Sequence, residues 1–133
     1  MIDPSDGSVD LGGAIVAPST SRAIFQMTAL GRNAKKLFDE DGKLTLQIQF
    51  EQELAVALVF KDSRLNEVRL SLGMLPSRNY SDLSSMDLEL VKQDHNEFLK
   101  RYLGNPPYRF AWGVVESVAG MNNGGNEIII RYI

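Results

Sequence analysis

The closing stretch, Tyr108 to Ile133, limits what this chain can become more than any other part of it. It reads Tyr-Arg-Phe-Ala-Trp-Gly-Val-Val-Glu-Ser-Val-Ala-Gly-Met, then Asn-Asn-Gly-Gly, then Asn-Glu-Ile-Ile-Ile-Arg-Tyr-Ile. Tyr108, Phe110, Trp112, Val114 and Val118 alternate, which places them on one face of a strand. Ile128, Ile130 and Tyr132 alternate in the same way on a second strand. The Asn122-Asn123-Gly124-Gly125 run between them accepts positive φ at little cost, so a hairpin is expected. Two paired strands alone bury too little apolar surface to persist in water. The rest of the chain must therefore cover this aromatic face.

A second clear pattern lies in the middle. Leu44, Leu46, Ile48 and Phe50 alternate with Thr45, Gln47 and Gln49, as in a strand with one dry face and one wet face. Leu54, Val56, Leu58 and Phe60 repeat the pattern, and Ala55, Ala57 and Val59 make the other side of that strand apolar as well. Val68, Leu70 and Leu72 mark a third strand. Asp41-Gly42 and Lys61-Asp62-Ser63-Arg64 supply turns, and Gly73 to Tyr80, with Pro76, reads as a loop.

Helical spacing appears twice. Ile24, Met27 and Leu30 follow hydroxyls at Ser19 to Ser21 that can cap a helix start, which predicts a short helix over about Thr20 to Met27. Asn33 to Phe38 fits a further helical turn or an irregular strand, and the helix is preferred. Ser81 to Leu103 is the one long helix. Its acidic residues come early, Lys100 and Arg101 come last, and Gly104 with Pro106-Pro107 ends it. Leu88, Val91, His95, Phe98 and Tyr102 form its inward stripe. Ala14 to Ala17 is a brief strand, and Met1 to Gly7 reads as a flexible lead. Together these elements predict one α+β domain over 1–133. It would hold a curved antiparallel sheet of about five or six strands, with the long helix packed on one face and a short N-terminal helix.

Composition narrows the function. The chain has 133 residues, no cysteine, one histidine and a formal net charge of −3. Without cysteine there are no disulfides, no thiolate catalysis and no thiolate metal sites. That suits a reducing compartment, so the cytoplasm is expected, with the periplasm as the alternative if a leader has been removed. The basic residues are scattered, which argues against nucleic acid as a partner. The longest apolar runs fall far short of the roughly 20 residues that span a bilayer, which argues against a membrane partner.

Candidate chemistry is sparse. His95 is the sole histidine, so it cannot complete a zinc site with a second histidine. As a general base it would draw on Asp94 or Glu97 beside it, but its place on the apolar stripe favours a packed side chain. No Gly-x-Ser-x-Gly elbow is present. Asp39-Glu40-Asp41-Gly42 resembles the opening of a calcium loop. Aligned on Gly42, however, that loop would need ligands from Leu37 and Ile48, so it reads as an acidic turn. Asn79-Tyr80-Ser81 matches a glycosylation acceptor of chance length. No metal site and no cofactor is expected. Tyr108 and Trp112, with Arg131 nearby, are the candidate partner-binding residues if their face is open; core packing is the commoner fate of such aromatics. Glu116, Glu127 and Arg131 are placed for cross-strand pairs.

The segment Leu103-Gly-Asn-Pro-Pro-Tyr-Arg-Phe-Ala-Trp-Gly-Val-Val-Glu-Ser, followed by Glu127-Ile-Ile-Ile-Arg-Tyr, resembles the closing signature of small uncharacterised bacterial proteins. In these a helix ends at Leu-Gly, prolines follow and Trp-Gly opens a final hairpin. The meander from Leu58 to Leu70 is similar too. Some proteins of this style are immunity proteins that neutralise a toxin. The likeness implies no catalytic residue. The family pattern often has an Asp shortly after the Ser, where this chain has Ala119-Gly120, so no acid carries over. The expectation is a non-enzymatic binding protein, an immunity or accessory protein with a toxin or other secreted effector as partner. The alternatives are a small-ligand carrier and a small hydrolase or isomerase using His95.

Overall fold

Why the chain forms more sheet than its sequence suggests becomes clear from where the strands begin. The computed structural model describes residues 1–51, 54–71, 85–120 and 125–133. The elements are β1 (Val9–Asp10), β2 (Ile15–Val16), α1 (Arg22–Met27), α2 (Ala29–Asn33), β3 (Lys35–Glu40), β4 (Lys43–Glu51), β5 (Leu54–Lys61), β6 (Arg64–Ser71), α3 (Ser85–Leu103), β7 (Arg109–Phe110), β8 (Gly113–Gly120) and β9 (Gly125–Tyr132). Seven of the strands form one antiparallel sheet in the order β3-β4-β5-β6-β9-β8-β7, and β1 pairs with β2 in a second. Strands dominate, and among the described residues only the helix α3 exceeds six residues. The expected α+β domain with five or six strands is therefore corrected to a mainly β fold.

Two misread segments account for much of the difference. Residues 35–40 form strand β3, not a helical turn. A β-bulge between Lys36 and Phe38 adds a residue against β4 and hides the period-two signal. The aromatic run is not one strand either. It turns back at Ala111-Trp112, so that Phe110 pairs with Gly113 and Arg109 with Val114. That turn resets the phase of β8: Val115 points into the core, and Val114 lies on the opposite face. The expected loop at 73–80, the helix start at 81–84, the glycosylation triplet and the turn at 122–124 lie outside the described residues.

The meander forms as its alternation dictates. Asp41 and Gly42 both take positive φ, 53° and 78°, as a two-residue hairpin loop requires. Register then lines up whole rows across the sheet. Ile48, Val56, Leu70, Ile128 and Ser117 are successive partners, as are Leu46, Leu58, Val68, Ile130 and Val115. Leu58, Val68, Ile128 and Ile130 have no exposed surface at all. At roughly 1.5–3 kcal/mol per fully buried aliphatic side chain, these rows are the main source of stability.

Different elements cover the two ends of this dry face. At one end Phe25 of α1 sets its ring 5.7 Å from Phe60. Ser21 and Thr28 cap α1 and α2 through their side-chain oxygens. At the other end α3 packs on β8, with His95 and Leu99 buried and Phe98 and Tyr102 partly so. Of the first seven residues, expected as a flexible lead, Ile2 and Gly7 are buried and 3–6 are exposed, and the segment is hydrogen-bonded to the rest of the fold. Ile2 is buried and bridges Val9, Trp112 Nε1 donates to Pro4 O at 2.9 Å, and the Tyr132 hydroxyl donates to Gly7 O at 2.6 Å. Gly7 has φ +75°, and a Cβ there would stand 2.5 Å from the Trp112 ring. Both its backbone and its lack of a side chain are therefore required.

Candidate functional site

His95 lies where helix α3 meets strand β8. It is buried, and its Nδ1 sits 2.6 Å from Ser117 Oγ. Ser117 is the polar end of the row that runs through Ile128, Leu70 and Val56, and the residue is exposed where the imidazole is not. Burial pushes the His95 pKa down, and the charge of Asp94 opposes this only in part. The imidazole is thus neutral at pH 7. Its other nitrogen, Nε2, is buried with no hydrogen-bond partner. A buried N–H left unmatched costs more than a bare lone pair. The favoured tautomer therefore carries its proton on Nδ1 and donates it to Ser117. In that arrangement the histidine anchors the serine and does not activate it.

The other residues of the proposed acid-base set do not complete a triad. Asp94 affects the imidazole electrostatically but accepts no hydrogen bond from it, and Glu97 is exposed. Among the described residues no group of three or more His, Asp or Glu side chains is placed to hold a metal ion. Nor, among them, is any helix long and apolar enough to cross a membrane.

The three candidate binding residues part company. Trp112 stacks on Phe110, with centroids 4.7 Å apart and planes at 4°, and meets Tyr132 edge-on at 6.0 Å. With its N–H held by Pro4 O, it is the seal of the core end and not an open platform. Tyr108 packs against the same core and donates its hydroxyl to Gly104 O at 3.1 Å. Burial raises the Tyr132 pKa, with Asp6 adding to the effect, which keeps that hydroxyl a donor.

Arg131 stands on the opposite face of the sheet, in a network that the isolated strands only hinted at. Its Nε reaches Glu67 Oε1 at 3.3 Å, and its Nη1 pairs with Glu116. Arg69 Nη2 lies 3.4 Å from Glu67 Oε2, and its Nη1 lies 3.8 Å from Glu127. Five charges from β6, β9 and β8 thus alternate in sign as Glu116, Arg131, Glu67, Arg69 and Glu127. Glu67 is 8% exposed and sits between the two guanidiniums, while the Arg131 and Glu116 side chains are 44% and 48% exposed. Burial works against the Arg131 charge, but Glu116 and Glu67 outweigh it and raise its pKa. The array is therefore held from below by Glu67 and open at its Arg131–Glu116 end.

Two cavities lie among the described residues. One of ≈ 390 Å³ opens between α2 and β4, lined by Leu30, Asn33, Lys35, Gln47 and Ile48 among others. Another of ≈ 370 Å³ lies on the charged face beside Phe38, Lys43, Val59 and Glu67. Trp112 lines neither. Sequence reasoning missed Ser117, Glu67 and Arg69. The signal for Ser117 was Gly113, a glycine inside an aromatic run. A Cβ at that position would collide with the Arg131 carbonyl, the kind of close approach that marks a break in a strand. No family model matches this chain, and no curated protein or solved structure matches it.

Proposed function

We propose that this chain is a non-enzymatic binding protein that docks a protein partner on the charged face of its sheet, as an immunity or accessory protein would. The observation that carries the reading is the alternating five-charge array, fixed by Glu67 and half open at Arg131 and Glu116. A preformed array of this kind favours a partner with complementary charges because little side-chain ordering remains to be done on binding. The net charge of −3 suits a basic partner, such as a basic toxin or other secreted effector. The test is calorimetric titration with the purified product of the neighbouring gene. Micromolar or tighter binding that weakens about tenfold on Arg131→Ala, with the circular dichroism spectrum unchanged, supports the reading. No heat of binding removes the immunity version. Binding that ignores Arg131 and Glu116 removes this face.

One observation favours a second reading, a small hydrolase: the exposed Ser117 hydroxyl lies 2.6 Å from a neutral imidazole, which would accept its proton in the tautomer with Nδ1 bare. A fluorophosphonate probe decides it. Labelling of Ser117 that disappears on His95→Gln, in a variant that keeps the native circular dichroism spectrum, supports the enzyme. An unlabelled protein sinks it.

A further inference from the structure

We propose that β3 is the docking strand for a second copy of this chain, joined edge to edge and antiparallel about a two-fold axis between Leu37 and Phe38. This goes beyond the reading of the charged face and does not depend on it.

The two ends of the sheet are unlike. β7 closes one end with only two residues. β3 closes the other with six, all of them exposed, and its outer edge carries no strand among the described residues. A strand of that length leaves a row of N–H and C=O groups ready for pairing.

Its sequence is Lys35-Lys36-Leu37-Phe38-Asp39-Glu40, with charge inverted end to end. Laid antiparallel on itself, it sets Lys35 against Glu40 of the second copy and Lys36 against Asp39 of the second copy. Laid parallel, it sets like charges together along its whole length. Charges on an edge strand commonly serve to prevent pairing. Sorted by sign in this way, they obstruct the parallel arrangement and leave the antiparallel one open.

The side-chain faces provide a stricter check. A two-fold axis normal to the sheet maps each face onto itself, so residues opposed across the new edge must point to the same face. In a regular strand, residues 35 and 40 point to opposite faces, as do 36 and 39. Here the bulge between Lys36 and Phe38 inserts one residue and removes the conflict. Lys35 and Glu40 face Gln47 and Lys43, which lie on the charged side. Lys36 and Asp39 face Leu46 and Leu44, which lie on the dry side. Both opposed pairs therefore fall on matching faces. The irregularity that hides β3 in the sequence is what makes it complementary to itself. At the axis Leu37, 48% exposed, would meet Phe38 of the second copy, and Phe38, 44% exposed, would meet Leu37 of the second copy.

The existing pairs of Asp39, with Lys36 at 3.2 Å and Arg22 at 3.4 Å, are partly solvent-exposed and cheap to rearrange. Six residues a side fall short of the ~1,200 Å² of a stable interface, so the dimer should be weak and sensitive to salt.

Sedimentation velocity on the full chain, over concentrations up to about 1 mM, is the first measurement. The expected result is a monomer–dimer equilibrium that weakens as salt is added. A monomer throughout that range overturns the proposal. The second measurement uses Lys35→Glu and Glu40→Lys, which leave Asp39 and its partners intact. Each variant alone should be monomeric with an unchanged circular dichroism spectrum. An equal mixture should associate again, because the glutamates of one then meet the lysines of the other. Dimers unaffected by either change, or folded variants whose mixture stays monomeric while the native chain pairs, overturn it.

Discussion

The rows Leu46, Leu58, Val68, Ile130, Val115 and Thr45, Val59, Glu67, Arg131, Val114 run side by side on the same five strands, one residue out of step. The first is held by burial, which has no preferred direction. A one-residue slip would turn either row to the wrong face. A two-residue slip would keep the first row dry but would part Glu67 from Arg131, which lie opposite each other in the second. The dry row therefore gives the sheet most of its stability. The charged row adds little energy, but it binds β6 to β9 in one register only.

The largest expected loss tests the dry row. Ile130→Ala should remove about 2–5 kcal/mol in urea unfolding, because the side chain is fully buried and its neighbours cannot collapse around the space. Glu67→Ala on the charged row should remove about 1–2 kcal/mol, since it leaves Arg131 and Arg69 without their shared acceptor. A loss equal to that of Ile130→Ala would mean the charged row carries weight assigned here to burial.

His95 and Ser117 form a polar pair on the dry side, and pH exposes it. Because the folded pKa of His95 is below its ordinary 6.5, the unfolded chain takes up the proton first on acidification. Stability should hold above pH 6.5 and fall as pH drops below it toward the folded value. His95→Gln should flatten that part of the Tm–pH curve while costing about 1 kcal/mol at neutral pH. An identical slope in the variant would place the titration elsewhere. Smallest of all, Glu116→Ala should change stability by less than about 0.5 kcal/mol, because the pair it breaks is half exposed, and the change should vanish in high salt.

Strict alternation made the meander legible. Leu44 to Ile48, Val56 to Phe60 and Ile128 to Tyr132 lie as their spacing says. The long helix was legible for its inward His95 and for its end at Gly104. The fold class was not, because β strands outside the meander carry little or misleading periodicity. The bulge at Leu37 disguises β3. The turn at Ala111-Trp112 itself uses neither glycine nor asparagine, so only Gly113 beside it marks the break. That turn also shifted the phase of β8, which is why His95 was foreseen and Ser117 was not. The charged array was half visible, since Glu116 and Arg131 share a hairpin while Glu67 comes from sixty-odd residues away.

Strand β9 follows every other strand of the sheet in chain order, yet it sits in the interior of the sheet between β6 and β8. During synthesis the meander must therefore wait with the β6 edge bare, its Val68 and Leu70 side open to any passing strand. A nascent chain stalled before residue 125 should be the species that chaperones hold and that aggregates first.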